Sequence, residues 1–160
     1  MNNSPVVIVT GASRGLGAAV AGWLAKAGVG VTLVARSEGD LNRVAEGLES
    51  PGGAPLVCGA DVSSYDACSR VVGKTLARFG RIDSLVNNAG IVQPISAISD
   101  SDPAQWRYNL EVNLIGPFNL IRAAISQLRL RAGRVVNVSS GAANLALENL
   151  SAYCTGKRRC

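Results

Sequence analysis

Five short apolar runs alternate with helical patterns along the chain, and this alternation constrains the fold more than any other feature. The runs are rich in β-branched residues and lie at residues 6–10, 29–35, 55–60, 82–87 and 134–139. Helical patterns fill the intervals at roughly residues 15–27, 38–49, 64–79 and 103–131. Uniformly apolar strands separated by helices are typical of a parallel sheet that is buried on both faces. We therefore predict an α/β fold with a doubly wound parallel sheet of about five strands.

Composition and charge narrow the class of protein. A chain of 160 residues suits one domain, 1–160, and a hydrophobic share of 48% is too high for a disordered protein. The net charge of +5 raises the possibility of a nucleic-acid partner, which requires basic residues clustered on one face. The only basic run is Lys157-Arg158-Arg159 at the chain end. We therefore expect no nucleic-acid partner.

The cysteines and the chain start give expectations about metal and location. The four cysteines lack CxxC spacing and the chain has no histidine, so we predict no metal site. The first residues run straight into the first strand without a targeting pattern, and no apolar stretch reaches transmembrane length. These observations favour a cytoplasmic protein with reduced thiols and no membrane partner.

A glycine-rich turn follows the first strand directly and reads Thr10-Gly11-Ala12-Ser13-Arg14-Gly15-Leu16-Gly17. Gly11 allows a sharp turn, Gly15 removes a side chain where backbone approaches a pyrophosphate, and Gly17 allows close packing of the helix on the sheet. The helix that follows offers backbone N–H groups and a positive dipole end to phosphate. The alternative is that the glycines only cap and pack this turn. Their position between strand and helix favours phosphate binding.

The glycine spacing G-x-x-x-G-x-G resembles the TGxxxGxG signature of the classical short-chain dehydrogenase/reductase family, and the resemblance extends over almost the whole chain. It implies a Rossmann-like fold and an oxidoreductase that uses a nicotinamide dinucleotide. Asp61 and Val62, after the third strand, match the pair that lies along the adenine. Asn87-Asn88-Ala89-Gly90 resembles the family's NNAG segment, whose last three residues pass close to the cofactor. Ser13, Arg14 and Leu16 belong with the glycines of the loop as cofactor contacts.

Residues after the second strand favour NADP(H) over NAD(H). An NAD-selective site places a carboxylate there to accept from the ribose 2′-hydroxyl, but this position holds Ala35. Arg36 follows it, and Arg14 lies within the glycine loop. Either arginine alone fits a solvated surface position, whereas two guanidinium groups together match a 2′-phosphate. We therefore predict NADP(H) as the cofactor.

The spacing of Tyr153 and Lys157 places both side chains on one helix face. A free tyrosine has a pKa near 10, so acid–base work at neutral pH requires a neighbour that stabilises phenolate. A lone Tyr-x-x-x-Lys pair is common by chance. Here the fifth strand precedes it and ends in Ser139 and Ser140. The resemblance implies that Tyr153 donates a proton, Ser140 orients the substrate oxygen, Lys157 stabilises phenolate and holds the nicotinamide ribose, and Asn113 holds a water of the proton relay.

The resemblance implies carbonyl reduction of a small-molecule substrate by NADPH, or the reverse oxidation. Family members continue beyond the Tyr–Lys helix with two further strands and a substrate loop, whereas this chain ends three residues after Lys157. We therefore expect a Tyr153 helix of about ten residues and an exposed apolar fifth strand. The alternative function is a truncated relative that binds nucleotide or a partner with little or no catalysis. Family members usually form homo-oligomers through the helices bearing Asn113 and Tyr153, but the shortened second helix leaves the assembly of this chain open.

Overall fold

The computed structural model describes residues 4–158 and contains a five-stranded sheet in which every pairing is parallel. The strand order is β3-β2-β1-β4-β5. The strands are β1 Val6–Thr10, β2 Gly30–Ala35, β3 Leu56–Gly59, β4 Ser84–Asn87 and β5 Arg134–Asn137. The predicted Rossmann-like α/β fold is therefore confirmed, with strands that begin or end one or two residues inside several predicted runs.

Helices connect consecutive strands, as the alternating pattern predicts. They are α1 Gly15–Lys26, α2 Glu38–Glu46, α3 Tyr65–Phe79, α4 Pro103–Leu110, α5 Gly116–Leu130 and α6 Ser151–Lys157. The side chains of Ser37, Ser64 and Asp102 cap α2, α3 and α4 by accepting a backbone N–H of the first turn. No helix within residues 4–158 is long and apolar enough to cross a bilayer.

The helix predicted over 103–131 is interrupted by one turn of π-helix, Glu111–Ile115, between α4 and α5. In this turn the Gly116 N–H donates to the carbonyl oxygen of Glu111. A π-turn adds one residue within an otherwise continuous helix, and it is too rare and too short for the apolar spacing to predict. The second helix also ends earlier than the predicted residue 49, since Gly47 follows its last residue, Glu46.

Two apolar layers cover the sheet, one on each face. Alternate residues of β1 point in opposite directions, so Val7 and Val9 pack with α1 and α2 while Ile8 packs with α3 and α5. All three side chains are almost fully buried. The central strand is thus fixed from both sides, as uniformly apolar parallel strands require.

The strand order reverses between β1 and β4. From β1 the chain proceeds to β2 and β3 on one side, and then returns to place β4 and β5 on the other side. At such a switch point the loops beyond the carboxyl ends of the strands diverge and leave a crevice. The glycine loop after β1 and Asn88-Ala89-Gly90 after β4 both lie at this point.

The strand β5 is an exposed edge. Val135 and Val136 are 38% and 52% exposed, so this run is not buried on both faces as β1 and β2 are. The exposure agrees with the expectation of an apolar edge strand. The helix α6 has seven residues rather than the expected ten or so.

Asp83 links the amino-terminal ends of three neighbouring strands, β1, β4 and β5, by hydrogen bonds. Its Oδ2 accepts the Val6 N–H at 2.7 Å, and both of its carboxylate oxygens accept from Arg81, at 2.6 and 2.8 Å. The Asp83 carbonyl oxygen accepts the Arg134 N–H at the start of β5. Burial acts to raise the pKa of Asp83, but the hydrogen bonds from Arg81 and Val6 outweigh it, and the pKa lies below its usual 3.8.

We expect Asp83→Asn to lower the free energy of unfolding by about 1–3 kcal/mol at pH 7, because it removes a charge-assisted pair. A carboxylate with a lowered folded pKa stabilises the protein above its unfolded pKa, and this contribution is lost as the pH falls through the folded value. Urea unfolding at several pH values should therefore show the difference from wild type shrinking below about pH 4. Asp100→Asn, at an exposed position, is the control. A gap that stays constant down to low pH would contradict this role.

Candidate active site

A crevice of about 520 Å³ opens at the carboxyl ends of the strands, at the switch point. Ten residues predicted to bind cofactor line it: Gly11, Ser13, Arg14, Gly15, Arg36, Asp61, Val62, Asn88, Ala89 and Gly90. Four others predicted to do so, Leu16, Gly17, Tyr153 and Lys157, do not line this cavity. Leu16 instead points outward and is 57% exposed.

The glycine loop has the geometry that phosphate binding needs. Gly11 and Gly15 adopt positive φ angles of 64° and 55°, and nothing lies within 4 Å of where a Gly15 side chain would begin. Arg14 occupies the N-cap position of α1 and offers no acceptor, and the first turn holds no acidic residue. The N-terminus of α1 is therefore left for an external anion.

Gly17 has a different packing role from the predicted one. A Cβ there would lie 2.3 Å from the Gly11 carbonyl oxygen and 2.5 Å from Asn88 Nδ2. The residue therefore allows α1 to approach the glycine loop and the end of β4, rather than the sheet face. This close approach fixes the positions of Gly11 and Asn88, which line the crevice.

Thr10 and Asn88 lock the two loops together. The Thr10 hydroxyl accepts the N–H groups of Asn88 and Ala89, both at 3.0 Å, and donates to the Val86 carbonyl oxygen. Asn88 Nδ2 donates to the carbonyl oxygens of Thr10 and Gly11. Thr10, at the head of the glycine motif, thus has a positioning role that the sequence reading did not assign.

The far wall of the crevice carries a hydrogen-bond chain between two predicted cofactor contacts. Arg36 Nη1 donates to the Tyr108 hydroxyl at 3.2 Å, which donates to Asp61 Oδ2 at 2.8 Å. Burial raises the pKa of Asp61, but hydrogen bonds from Ser63 and Tyr108 and the Arg36 charge together hold the pKa below its usual value. Tyr108 was not predicted as a site residue.

Asp40 places a carboxylate in the crevice that Arg14 and Arg36 also line. It pairs with Arg43, and this hydrogen bond, one from Ser37 and the charge of Arg14 lower its pKa. The sequence analysis places Ala35 where an NAD-selective carboxylate would stand and does not include Asp40 among the site residues. The Arg43 pair offsets the negative charge of Asp40.

The opposite end of the crevice brings Asn113 and Lys157 together around Gly90. Both side chains are buried. A Cβ on Gly90 would lie 2.9 Å from Asn113 Oδ1 and 3.1 Å from Lys157 Nζ. Lys157 Nζ donates to the Val138 carbonyl oxygen at 3.2 Å, and Asn113 bonds both the N–H and the carbonyl oxygen of Ile91. The Asn113 amide is therefore used by the backbone of Ile91. Asn113 also lies in the π-turn, a feature frequent at functional sites.

The two serines after β5 differ in how their hydroxyl hydrogens are used. Ser139 donates its hydrogen to the Lys157 carbonyl oxygen at 3.1 Å, so its hydroxyl is used by the backbone. Ser140 Oγ instead accepts the Ala142 N–H, which leaves its own hydrogen for another acceptor. Tyr153 is partly buried on α6, which packs against the turn after Ser140 and against the π-turn of Asn113.

Asn109 is a buried residue of this region that the sequence reading missed. Its Nδ2 donates to the carbonyl oxygens of residues 91, 92 and 93, and its Oδ1 accepts from Asn113 at 2.7 Å. A signal was available, since Asn109 lies one helical turn before Asn113 and two asparagines in one apolar helix face need shared partners.

Comparisons with known proteins agree with this geometry. The model of the family described as short chain dehydrogenase matches residues 5–159. The chain belongs to this family. It is 38% identical over 153 residues to 11-beta-hydroxysteroid dehydrogenase A of Sesamum indicum, covering 95% of this chain and 44% of that protein. The chain spans about half the length of the curated relatives it matches.

Solved structures of short-chain dehydrogenases share the fold closely. A metagenomic short-chain oxidoreductase in complex with NADP has a TM-score of 0.90 at 35% identity, with 99% of this chain and 72% of that chain covered. An NAD⁺-bound xylitol dehydrogenase also has a TM-score of 0.90, at 30% identity, covering 98% of this chain and 60% of that chain. Relatives thus hold either nicotinamide dinucleotide.

We expect Gly17→Ala to weaken NADPH binding and to lower the free energy of unfolding by about 1–3 kcal/mol, because its Cβ would overlap backbone. Gly39→Ala is the matched control, since nothing lies within 4 Å of its Cβ and α2 should gain about 0.5–1 kcal/mol. Urea unfolding and NADPH fluorescence titration measure the two effects. Equal behaviour of the two variants would show that the close approach at Gly17 is unimportant.

Proposed function

We propose that residues 1–160 form one NADP(H)-binding domain of an oxidoreductase that reduces a carbonyl to an alcohol, or the reverse. The observation that carries this proposal is the crevice itself. One end holds the glycine loop with Arg14 and Arg36, and the other ends at Gly90 beside Asn113 and Lys157. The substrate class is a small-molecule carbonyl or alcohol.

The residues present fit a phosphorylated dinucleotide. The open space beside Gly15 and the uncapped α1 suit the pyrophosphate, and Asp61 and Val62 line the wall assigned to the adenine. Arg14 and Arg36 line the same crevice, and Ala35 supplies no carboxylate to bind a 2′-hydroxyl. These features favour NADP(H) over NAD(H). When bound, the nicotinamide supplies or accepts the hydride.

We assign the catalytic roles from the family resemblance, and the burial of Asn113 and Lys157 beside Gly90 supports the assignment. Tyr153 donates a proton to the carbonyl oxygen, and the Lys157 ammonium stabilises the phenolate that remains and holds the nicotinamide ribose. Ser140 orients the carbonyl oxygen with the hydroxyl hydrogen that its own contacts leave available. Asn113 anchors the backbone at Ile91 and connects the relay to solvent through a water.

A second candidate function is nucleotide binding with little catalysis. The exposed face of β5 and the seven-residue length of α6 favour it, because Ser140 follows β5 and the pair Tyr153 and Lys157 lies on α6. The lining of the proposed dinucleotide crevice comes from the ends of β1–β4, the segments after them, and Tyr108 and Val112, and none of the lining residues belongs to β5 or α6.

Location and assembly belong to the same proposal. Cys58, Cys68 and Cys154 are free thiols, as expected in the cytoplasm. Ile115 and Phe118 are 42% and 59% exposed on the segment that bears Asn113, which supports pairing of two copies through these helices. Light scattering at several concentrations measures this association.

We expect Tyr153→Phe to reduce ketone reduction at least about 100-fold, because the proton donor is lost, while NADPH still binds. The assay follows NADPH consumption with a panel of aromatic and alicyclic ketones. Tyr65→Phe, on the exposed start of α3, is the control and should match wild type. Equal turnover by wild type and Tyr153→Phe would refute the proposed mechanism, and binding without turnover in wild type would favour the second candidate function.

We expect Arg36→Ala to weaken NADPH binding about 10-fold or more and to leave NADH binding nearly unchanged, because only the former presents a 2′-phosphate. Fluorescence titration with each dinucleotide gives the ratio of affinities. Arg70→Ala, exposed on α3 away from the crevice, should preserve that ratio. An unchanged ratio in Arg36→Ala would remove this arginine from the binding site.

A further inference from the structure

Asp61 has hydrogen-bond donors on both of its carboxylate oxygens. Its Oδ1 accepts the N–H and the hydroxyl of Ser63, at 2.9 and 2.7 Å. Its Oδ2 accepts the hydroxyl of Tyr108 at 2.8 Å. These partners are neutral groups, so Asp61 is satisfied without a bound cation.

The Tyr108 hydroxyl stands between Asp61 and Arg36. Its single hydrogen is donated to the carboxylate, so its lone pairs face Arg36 Nη1 and accept from it at 3.2 Å. Within residues 4–158 Arg36 forms no direct ion pair, with Asp61 or any other carboxylate. A neutral group therefore separates two opposite charges that line one crevice.

We propose that Tyr108 is a specificity-determining residue for the dinucleotide: it positions Arg36 toward the 2′-phosphate of NADP(H) and keeps the guanidinium from pairing with Asp61. This inference rests on the proposed NADP(H) function. It assigns a role in cofactor choice to a residue of α4, which lies outside both the glycine loop and the segment after β2.

Charge and hydrogen-bond capacity explain why it matters that the Tyr108 hydroxyl lies between Arg36 and Asp61. A guanidinium has five N–H donors, and the contact with Tyr108 orients the group through one nitrogen while leaving most donors for a phosphate. A direct pair with Asp61 would use two of these donors and neutralise the charge that attracts the phosphate. Burial first, and then the hydrogen bond to Asp61, raise the pKa of Tyr108, so the phenol stays protonated and neutral.

A merely structural role for Tyr108 makes a different prediction. Its ring packs against the core layer under α3 and α5, and Tyr108→Phe keeps that ring. If the ring alone matters, Tyr108→Phe behaves like wild type toward both dinucleotides. If the hydroxyl positions Arg36, the variant loses affinity for NADPH selectively.

The test is a double-mutant cycle of Tyr108→Phe and Arg36→Ala, with NADPH and NADH titrated against each protein. We expect Tyr108→Phe to weaken NADPH binding about three- to tenfold and to leave NADH binding unchanged. In the Arg36→Ala background the same change should have no further effect on NADPH, because the residue acts through the arginine. Urea unfolding of each variant confirms that the proteins compared are folded.

Tyr65→Phe removes a phenol hydroxyl from an exposed position and should alter neither affinity. The inference is overturned if Tyr108→Phe weakens both dinucleotides equally, if it changes neither, or if its effect adds to that of Arg36→Ala. A wild type that does not prefer NADPH would refute the proposed cofactor itself and this inference with it. A wild type that prefers NADPH beside an unselective Tyr108→Phe effect would refute only the role of Tyr108.

Discussion

The close approach of the β1 loop to the end of β4 is the constraint on which the site depends. Asn88 Nδ2 bridges the carbonyl oxygens of Thr10 and Gly11, and a side chain on Gly11 or Gly17 would collide with this contact. The contact lies where the strand order reverses, which is where the segments after neighbouring strands diverge and leave a crevice. It brings the uncapped start of α1 to one side of the crevice and leads the chain after β4 toward Gly90 on the other.

The two ends of the crevice differ in the groups that they hold: charged side chains line one end, and buried asparagines lie at the other. At one end, positive charge must remain available, and neutral donors satisfy Asp61 while Arg43 offsets Asp40. At the other end, Asn109 and Asn113 are buried. Their amide groups form hydrogen bonds with each other and with the backbone after Gly90. Among the described residues no buried side-chain nitrogen or oxygen lacks a partner. Both ends are thus organised before a ligand binds, which favours binding because little reorganisation is required.

The elements that bind nucleotide and those proposed to catalyse differ in how well they are covered. The strands β1 and β2 are buried between helices on both faces, whereas β5 presents Val135 and Val136 at the surface. Lys157 is nonetheless buried, because α6 packs against the π-turn and its Gly156 comes close to Asn113. The relatives that match are about twice as long as this chain. The proposed nucleotide binding and the proposed catalysis therefore rest on parts of the fold with different structural support.

The alternation of strands and helices, the glycine loop and the residues at the strand ends could be predicted from the sequence, because burial period and backbone freedom are local properties. The sequence did not determine the π-turn at Glu111–Ile115 or the Arg36–Tyr108–Asp61 chain, whose members lie on separate elements. It predicted close packing at Gly17 but not the contacting atom, since the Gly11 carbonyl oxygen approaches only once the loop has folded. These contacts could be found only in the tertiary structure, because hydrogen bonds between residues distant in sequence depend on how the helices pack against the sheet.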